Sequence, residues 1–238
     1  MEEDIMATVN LVSYTQTAPD FVHADEIKDI QDLVAFCARV SNPGNQLNSE
    51  TAPKLIKYLI KNKHWSPFEM VNVCLEIITT RDIGRQLLRH RSFSFQEFSQ
   101  RYAVVGQAGS GLDYSIRECR LQDEKNRQNS VTINEDDIEQ KYLAHQWEKK
   151  QKELISQADE LYKWALDNGI AKEQARAVLP EGLTNSRMYV NGTLRSWIHY
   201  IEVRAGNGTQ KEHMLIAQEC AKIIANIFPT ISEVSQEV

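Results

Sequence analysis

Apolar positions recur at helical spacing through residues 25–41, where Ile27, Ile30, Leu33, Val34 and Cys37 share one face and predict an amphipathic helix. Asn42-Pro43-Gly44-Asn45 stops it. A second stripe, Leu55, Ile56, Leu59 and Ile60, predicts a helix over 52–62. Pro53 sits in its first turn, where the missing N–H is no loss. His64-Trp65-Ser66-Pro67-Phe68-Glu69 reads as a compact turn. The period then changes. Val71, Val73, Leu75 and Ile77 alternate with Asn72, Cys74 and Glu76, which marks a strand.

Thr80 is placed to cap a short helix reaching Arg89, with Ile83, Leu87 and Leu88 inward. Gln86 and Arg89, three apart, would share a face of it. Beyond His90 the chain is expected to run extended, so that Glu97, Ser99 and Arg101 point the same way. Gly106, Gly109, Ser110 and Gly111 predict a flexible loop within 104–113. Helical spacing returns at Asn134 and lasts to Asn168-Gly169, a good C-terminal stop. The charge along that stretch reads as a solvated face. A short helix holds Arg176 and ends before Pro180. Thr193 is expected to cap a helix reaching Arg204, which sets Arg195 and His199 one turn apart. Thr209-Gln210-Lys211-Glu212 fits a capping box for a last helix to about Ile227.

These elements are helix-rich and do not alternate regularly. They predict an α+β fold, a single domain over 1–238 with a mixed or antiparallel sheet. No G-x-G-x-x-G follows a strand and no G-x-x-x-x-G-K-[ST] occurs, so the glycine-loop mode of dinucleotide binding is unsupported. The net charge of -6 argues against bulk nucleic-acid binding. Cys37, Cys74, Cys119 and Cys220 form no C-x-x-C pair and suggest reduced thiols of a cytoplasmic protein. The acidic start is unlike a signal peptide, and no apolar run approaches about 20 residues, so no membrane role is expected.

Against that acidic total, residues 89–102 stand out, from Arg89-His90-Arg91 through Ser99 and Arg101 to Tyr102. Five arginines lie between Arg81 and Arg101, and only Asp82 and Glu97 oppose them within that window. A guanidinium is a planar fork that grips phosphate in two places and stays charged. The segment therefore reads as an anion site. An alternative is a single-stranded nucleic-acid-binding module using Arg81–Arg101, with Phe93, Phe95 and Phe98 stacking on bases. His64, His90, His199 and His213 lack metal-ligand spacing, so no metal is expected. The cysteines have no evident base beside them and no G-x-S-x-G occurs, so a side-chain nucleophile has no support.

The ordered motifs resemble the flavin-dependent thymidylate synthases. Arg89-His90-Arg91 followed by Ser99 matches their R-H-R, seven residues, S signature, with the extension Glu97-x-Ser99-x-Arg101-Tyr102. Upstream, Arg85-Gln86-x-x-Arg89 and His64-x-Ser66-Pro67-Phe68-Glu69 are similar to family blocks. Downstream, so are Ala175-Arg176-x-Val178-Leu179-Pro180 and Arg195-Ser196-Trp197-Ile198-His199-Tyr200 through Arg204. Gln96 and Thr193 stand where asparagine is frequent in the family. The resemblance implies a family-specific α+β fold, a homotetramer with shared active sites, and methylation of dUMP to dTMP. Methylenetetrahydrofolate would supply carbon and reduced FAD hydride, with NADPH restoring the flavin. It implies that Arg204 activates the uracil and that Gln86, Arg89, Glu97, Ser99, Gln100, Arg101, Arg176 and Arg204 bind dUMP. It places Ser66, Arg89, His90, Arg91, Glu97, Thr193, Leu194, Arg195 and His199 at FAD, and His64 near flavin or folate.

Overall fold

A computed structural model describes residues 7–106, 112–206 and 208–234. Strands β1 (Thr8–Tyr14), β2 (Asn72–Thr80) and β3 (Ser94–Glu97) join β6 (Asn185–Thr193) in one sheet of order β1-β2-β6-β3. Every pairing in it is antiparallel. The outer strands β4 (Arg120–Gln122) and β5 (Ser130–Thr132) form a separate hairpin. Helices α1 (Ile30–Ala38), α2 (Ala52–Lys61), α6 (Leu194–Arg204) and α7 (Lys211–Ala225) share a core with the sheet. Val73, Leu75 and Ile77, the alternating positions of β2, are fully buried there against Val34, Ile56, Trp197 and Ile224. The indole of Trp197 donates to the Val73 carbonyl at 3.0 Å, so the largest core side chain carries no orphaned polar atom. The fold is α+β with an antiparallel sheet.

Several local details differ from the sequence reading. Helix α1 begins at Ile30 rather than near 25, because Asp29 caps it and accepts the Asp32 N–H at 2.8 Å. The preceding residues fold into turns that pack Phe21 and His23 on Phe36. Thr80 precedes α3 (Arg81–Leu87) but caps no N–H. Its hydroxyl donates to Asp82 at 2.7 Å and accepts from Arg117 at 2.5 Å. The expected alternation of Glu97, Ser99 and Arg101 ends with β3 at Glu97, because the N–H groups of Tyr102 and Ala103 turn back onto the Ser99 carbonyl, each at 3.0 Å. At α7 the capping box is absent. Gln210 occupies the cap position, Thr209 donates to the Val203 carbonyl, and Glu212 turns inward. Gly109, Ser110 and Gly111 lie outside the described residues.

The long helix α4 (Ile138–Asp167) is capped by Asp137 and stopped at Gly169, whose φ of 76° suits glycine. It packs Tyr162 and Ala165 against Val105 and Ala175, in a small cluster apart from the main core. Leu143, Trp147, Leu154, Leu161 and Trp164 remain exposed along it. Helix α5 (Lys172–Ala175) follows and continues as a single 3-10 turn through Arg176.

Candidate active site

Two of the motif blocks, 64–69 and 195–204, meet at the start of α6. Pairing of β2 with β6 sets Asn72 opposite Thr193, and the Leu194 N–H donates to the Val71 carbonyl at 2.9 Å. This brings the turn Ser66–Met70 beside the first turn of α6. There Arg195 pairs with Glu69 at 2.6 Å. The Arg195 hydrogen bond holds the Glu69 carboxyl below its ordinary range, with help from Thr193. Thr193 caps α6 by accepting the Ser196 N–H at 3.3 Å. Ser66, Arg195 and His199 are exposed along this edge, whereas Leu194 is fully buried and serves to fix the helix start. His64 is exposed and meets Tyr58 edge-on.

The Arg89-His90-Arg91 turn packs on the same helix. Ser196 donates to the Ser92 carbonyl at 3.3 Å, and the Phe93 ring lies 4.5 Å from that of Trp197. Phe93 presses so closely on β6 that a Cβ at Gly192 would stand 2.3 Å from its ring, so only glycine fits there. Across this contact Arg204 donates from Nε to His90 Nε2 at 3.1 Å. His90 must therefore be unprotonated at that nitrogen. Burial, then Arg204 and His199, push its pKa down to about 4. Gln86 lies beside this pair. Its carboxamide donates to Gln210 at 2.8 Å and meets His213 Nδ1 at 3.1 Å.

A second group forms at the turn after β3. Arg101 pairs with Glu173 at 3.6 Å, and Lys172 donates to the Tyr102 carbonyl at 2.8 Å. Together with Ser99 these residues line a hollow of 560 Å³ beside the 3-10 turn that carries Arg176. Gln100, between Ser99 and Arg101 in sequence, is buried with its Nε2 unpartnered. Glu97 is held by Arg81 at 3.3 Å and by Ser186 at 2.9 Å. The structure thus ties Gln86, His90 and Arg204 to one cluster and Ser99 and Arg101 to another, while Arg176 sits in the 3-10 turn after α5, outside the lining of the hollow.

The arginine-rich window is better paired than its sequence implies. Carboxylates from outside it, Glu173 and Glu181, take Arg101 and Arg85. Among the described residues, however, Arg89, Arg91, Arg176 and Arg204 make no ion pair with a carboxylate. Arg89 and Arg91 are exposed, and Arg204 and Arg176 half-buried. Guanidinium groups held this way are ready for an external anion.

Sequence reasoning passed over Gln210, Glu212 and His213. The signal for His213 was its place in the apolar stripe of α7, in register with Ile216, Ala217 and Cys220. Glu212 is buried between Arg117, at 3.0 Å, and Arg120. A larger cleft of 1180 Å³ lies between β1, α4 and α7; Arg117, Cys119 and Glu212 line it, whereas Arg89, Arg91, Arg176 and Arg204 do not.

The chain matches known proteins over most of its length. Residues 23–230 match the family model described as Thymidylate synthase complementing protein. The chain is 47% identical over 227 residues to a probable flavin-dependent thymidylate synthase of Paramecium bursaria Chlorella virus 1, covering 95% of this chain and 97% of the relative. It is 45% identical over 217 residues to the flavin-dependent thymidylate synthase of Synechocystis, covering 91% and 94%. A crystal structure of the UMP/dUMP methylase PolB from Streptomyces cacaoi, bound with 5-Br UMP, superposes with a TM-score of 0.76 at 26% identity, covering 97% of this chain and 94% of that one. The motif blocks, the antiparallel α+β fold and these matches show that the chain belongs to the flavin-dependent thymidylate synthase family.

Proposed function

We propose that the chain, working as one domain, methylates dUMP to dTMP with methylenetetrahydrofolate as carbon donor and NADPH as reductant. FAD, when bound, supplies the hydride. The observation that carries this reading is the set of guanidinium groups without carboxylate partners: Arg89, Arg91, Arg176 and Arg204. In this reading Arg89, Arg101, Arg176 and Ser99 hold the phosphate or sugar of dUMP, and Gln86, Glu97 and Gln100 complete its site. The buried, unpartnered Nε2 of Gln100 is a donor that fits such a ligand. The donor set along the start of α6, with the hydroxyls of Ser66 and Thr193, the guanidiniums of Arg89, Arg91 and Arg195, and the His90 and His199 rings, suits an anionic dinucleotide such as FAD. Glu97, assigned to both ligands, holds Arg81 near the start of β6, Leu194 fixes the helix start, and His64 faces flavin or folate.

Uracil C5 becomes nucleophilic when negative charge is drawn into the ring. Arg204 is assigned to stabilise that charge at the N3 and O4 edge. Its Nε is committed to His90, which leaves its terminal nitrogens for the ligand. The reaction proceeds without a cysteine nucleophile. Burial raises the thiols of Cys37, Cys74 and Cys220 above their ordinary value, which disfavours thiolate. The free thiols also fit a cytoplasmic setting. The two arginine groups would be joined in a homotetramer with shared sites, and the exposed apolar stripe of α4 gives the copies a surface to bury.

The single-strand-binding alternative loses its stacking platform. Phe93 is buried and Phe95 packs against it. No helix among the described residues is long and apolar enough to cross a membrane. The deciding experiment is a visible absorption spectrum of the purified protein, then NADPH bleaching and an assay for dTMP. The expected result is a flavin spectrum, and dTMP only when dUMP, folate donor and reductant are all present. A colourless protein that FAD cannot reconstitute would defeat the proposal.

A further inference from the structure

Gln86 is held at both ends of its carboxamide. Its Nε2 donates to Gln210 Oε1 at 2.8 Å, and its Oε1 meets His213 Nδ1 at 3.1 Å. A carboxamide oxygen only accepts, so His213 carries its proton on Nδ1. Its Nε2 is then a bare lone pair, buried with no partner. Burial, with Arg204 and His90 nearby, pushes the ring's pKa down to about 3, which keeps it neutral.

Both anchors are themselves fixed. Gln210 donates to Glu212 at 2.9 Å, and Glu212 is gripped by Arg117 at 3.0 Å and by Arg120. The His213 ring is fully buried and lies edge-on to His90 at 6.3 Å, with Tyr200 at 5.7 Å. An aliphatic side chain would fill this place without burying a polar nitrogen.

We propose that His213, with Gln210, is a positioning residue that fixes which way the Gln86 amide faces the pyrimidine nucleotide. The clamp leaves one N–H and one lone pair of that amide for the ligand. Without it the amide is free to turn over and present oxygen where nitrogen is needed. This inference rests on the reading that Gln86 binds dUMP.

The test measures dUMP affinity of the FAD-loaded protein by calorimetry, alongside KM and kcat. His213→Leu is expected to weaken dUMP binding about fivefold, the worth of one hydrogen bond, and to raise KM more than it lowers kcat. His213→Asn, which can place an N–H where Nδ1–H stood, is expected to recover affinity to within about twofold of wild type. In a Gln86→Ala background, adding His213→Leu should cost nothing further. Unchanged affinity in His213→Leu, or an equal loss in the Gln86→Ala background, would overturn the proposal. If His213→Leu does not fold, Gln210→Leu makes the same test on an exposed side chain. It should weaken binding about threefold, and only when Gln86 is present. Unchanged affinity there is equally fatal. A wild-type protein with no affinity for dUMP would defeat the functional reading itself. Normal wild-type binding with indifferent variants would defeat this inference alone.

Discussion

Glu212→Gln tests the electrostatic frame under the site. The Glu212 side chain is only 4% exposed, and it faces Arg117 and Arg120, 13% and 11% exposed. Arg117 also reaches Asp82 at 2.7 Å, and Arg120 reaches Glu118 at 3.3 Å. Burial alone would push the Glu212 carboxyl up. Its own backbone N–H, Arg117, Gln210 and Arg120 outweigh that and leave its pKa below the ordinary range. Removing one charge from a buried pair typically costs about 3–5 kcal/mol. Each arginine here retains a second carboxylate, so the lower end applies, about 3 kcal/mol. For a chain of this length that corresponds to a fall of about 6–12 °C in Tm. The assay is thermal unfolding followed by circular dichroism at fixed protein concentration, since assembly shifts the apparent Tm. The sign with pH is also set. A depressed carboxyl contributes fully above its ordinary pKa and loses that contribution as pH falls through its folded value, so the gap between wild type and variant should close in acid. A change smaller than about 2 °C at neutral pH would refute the reasoning, because the triad would then be near break-even.

Two further outcomes follow from the packing and the histidines. Gly192→Ala should destabilise by about 1–3 kcal/mol, because its Cβ meets the Phe93 ring at 2.3 Å and must displace the turn carrying His90; chemical denaturation measures the loss, and a neutral result would mean that Phe93 moves freely. His90 and His213 are depressed from 6.5 to about 4 and about 3, so the unfolded chain takes up protons that the folded chain refuses. Stability should therefore fall as pH drops from about 6.5 toward 5, above most of the carboxylate range, and His213→Leu should flatten that slope in a pH series of unfolding curves. An unchanged slope would contradict the neutral, buried state of the ring.

Much of the frame was legible because its periods are clean. The α2 stripe, the alternation of β2 and the Thr193 cap of α6 all appear in the structure near their expected bounds. Strand β6 escaped because its inward positions include Ser186 and Gly192, which break the apolar alternation. Strand β1 escaped because it is an edge strand with mostly exposed residues. Local order along the chain also misjudged the arginines. Glu173 and Glu181 are far from the basic window in sequence yet neutralise part of it. The His90–Arg204 contact spans 114 positions, and nothing in either segment alone announces it. The His213–Gln86 contact likewise spans 127 positions, and the α7 sequence shows only that His213 falls on the apolar stripe.

The central claim is that the Arg204 fork, oriented by His90, activates the pyrimidine. The most direct measurement is dTMP formation by Arg204→Ala, with FAD content and dUMP binding measured on the same preparation. The account predicts a folded flavoprotein whose kcat falls by about 10²–10³ or more, the loss expected when a positioned donor to developing charge is removed. Turnover at the wild-type rate in a folded, FAD-loaded Arg204→Ala protein would contradict it.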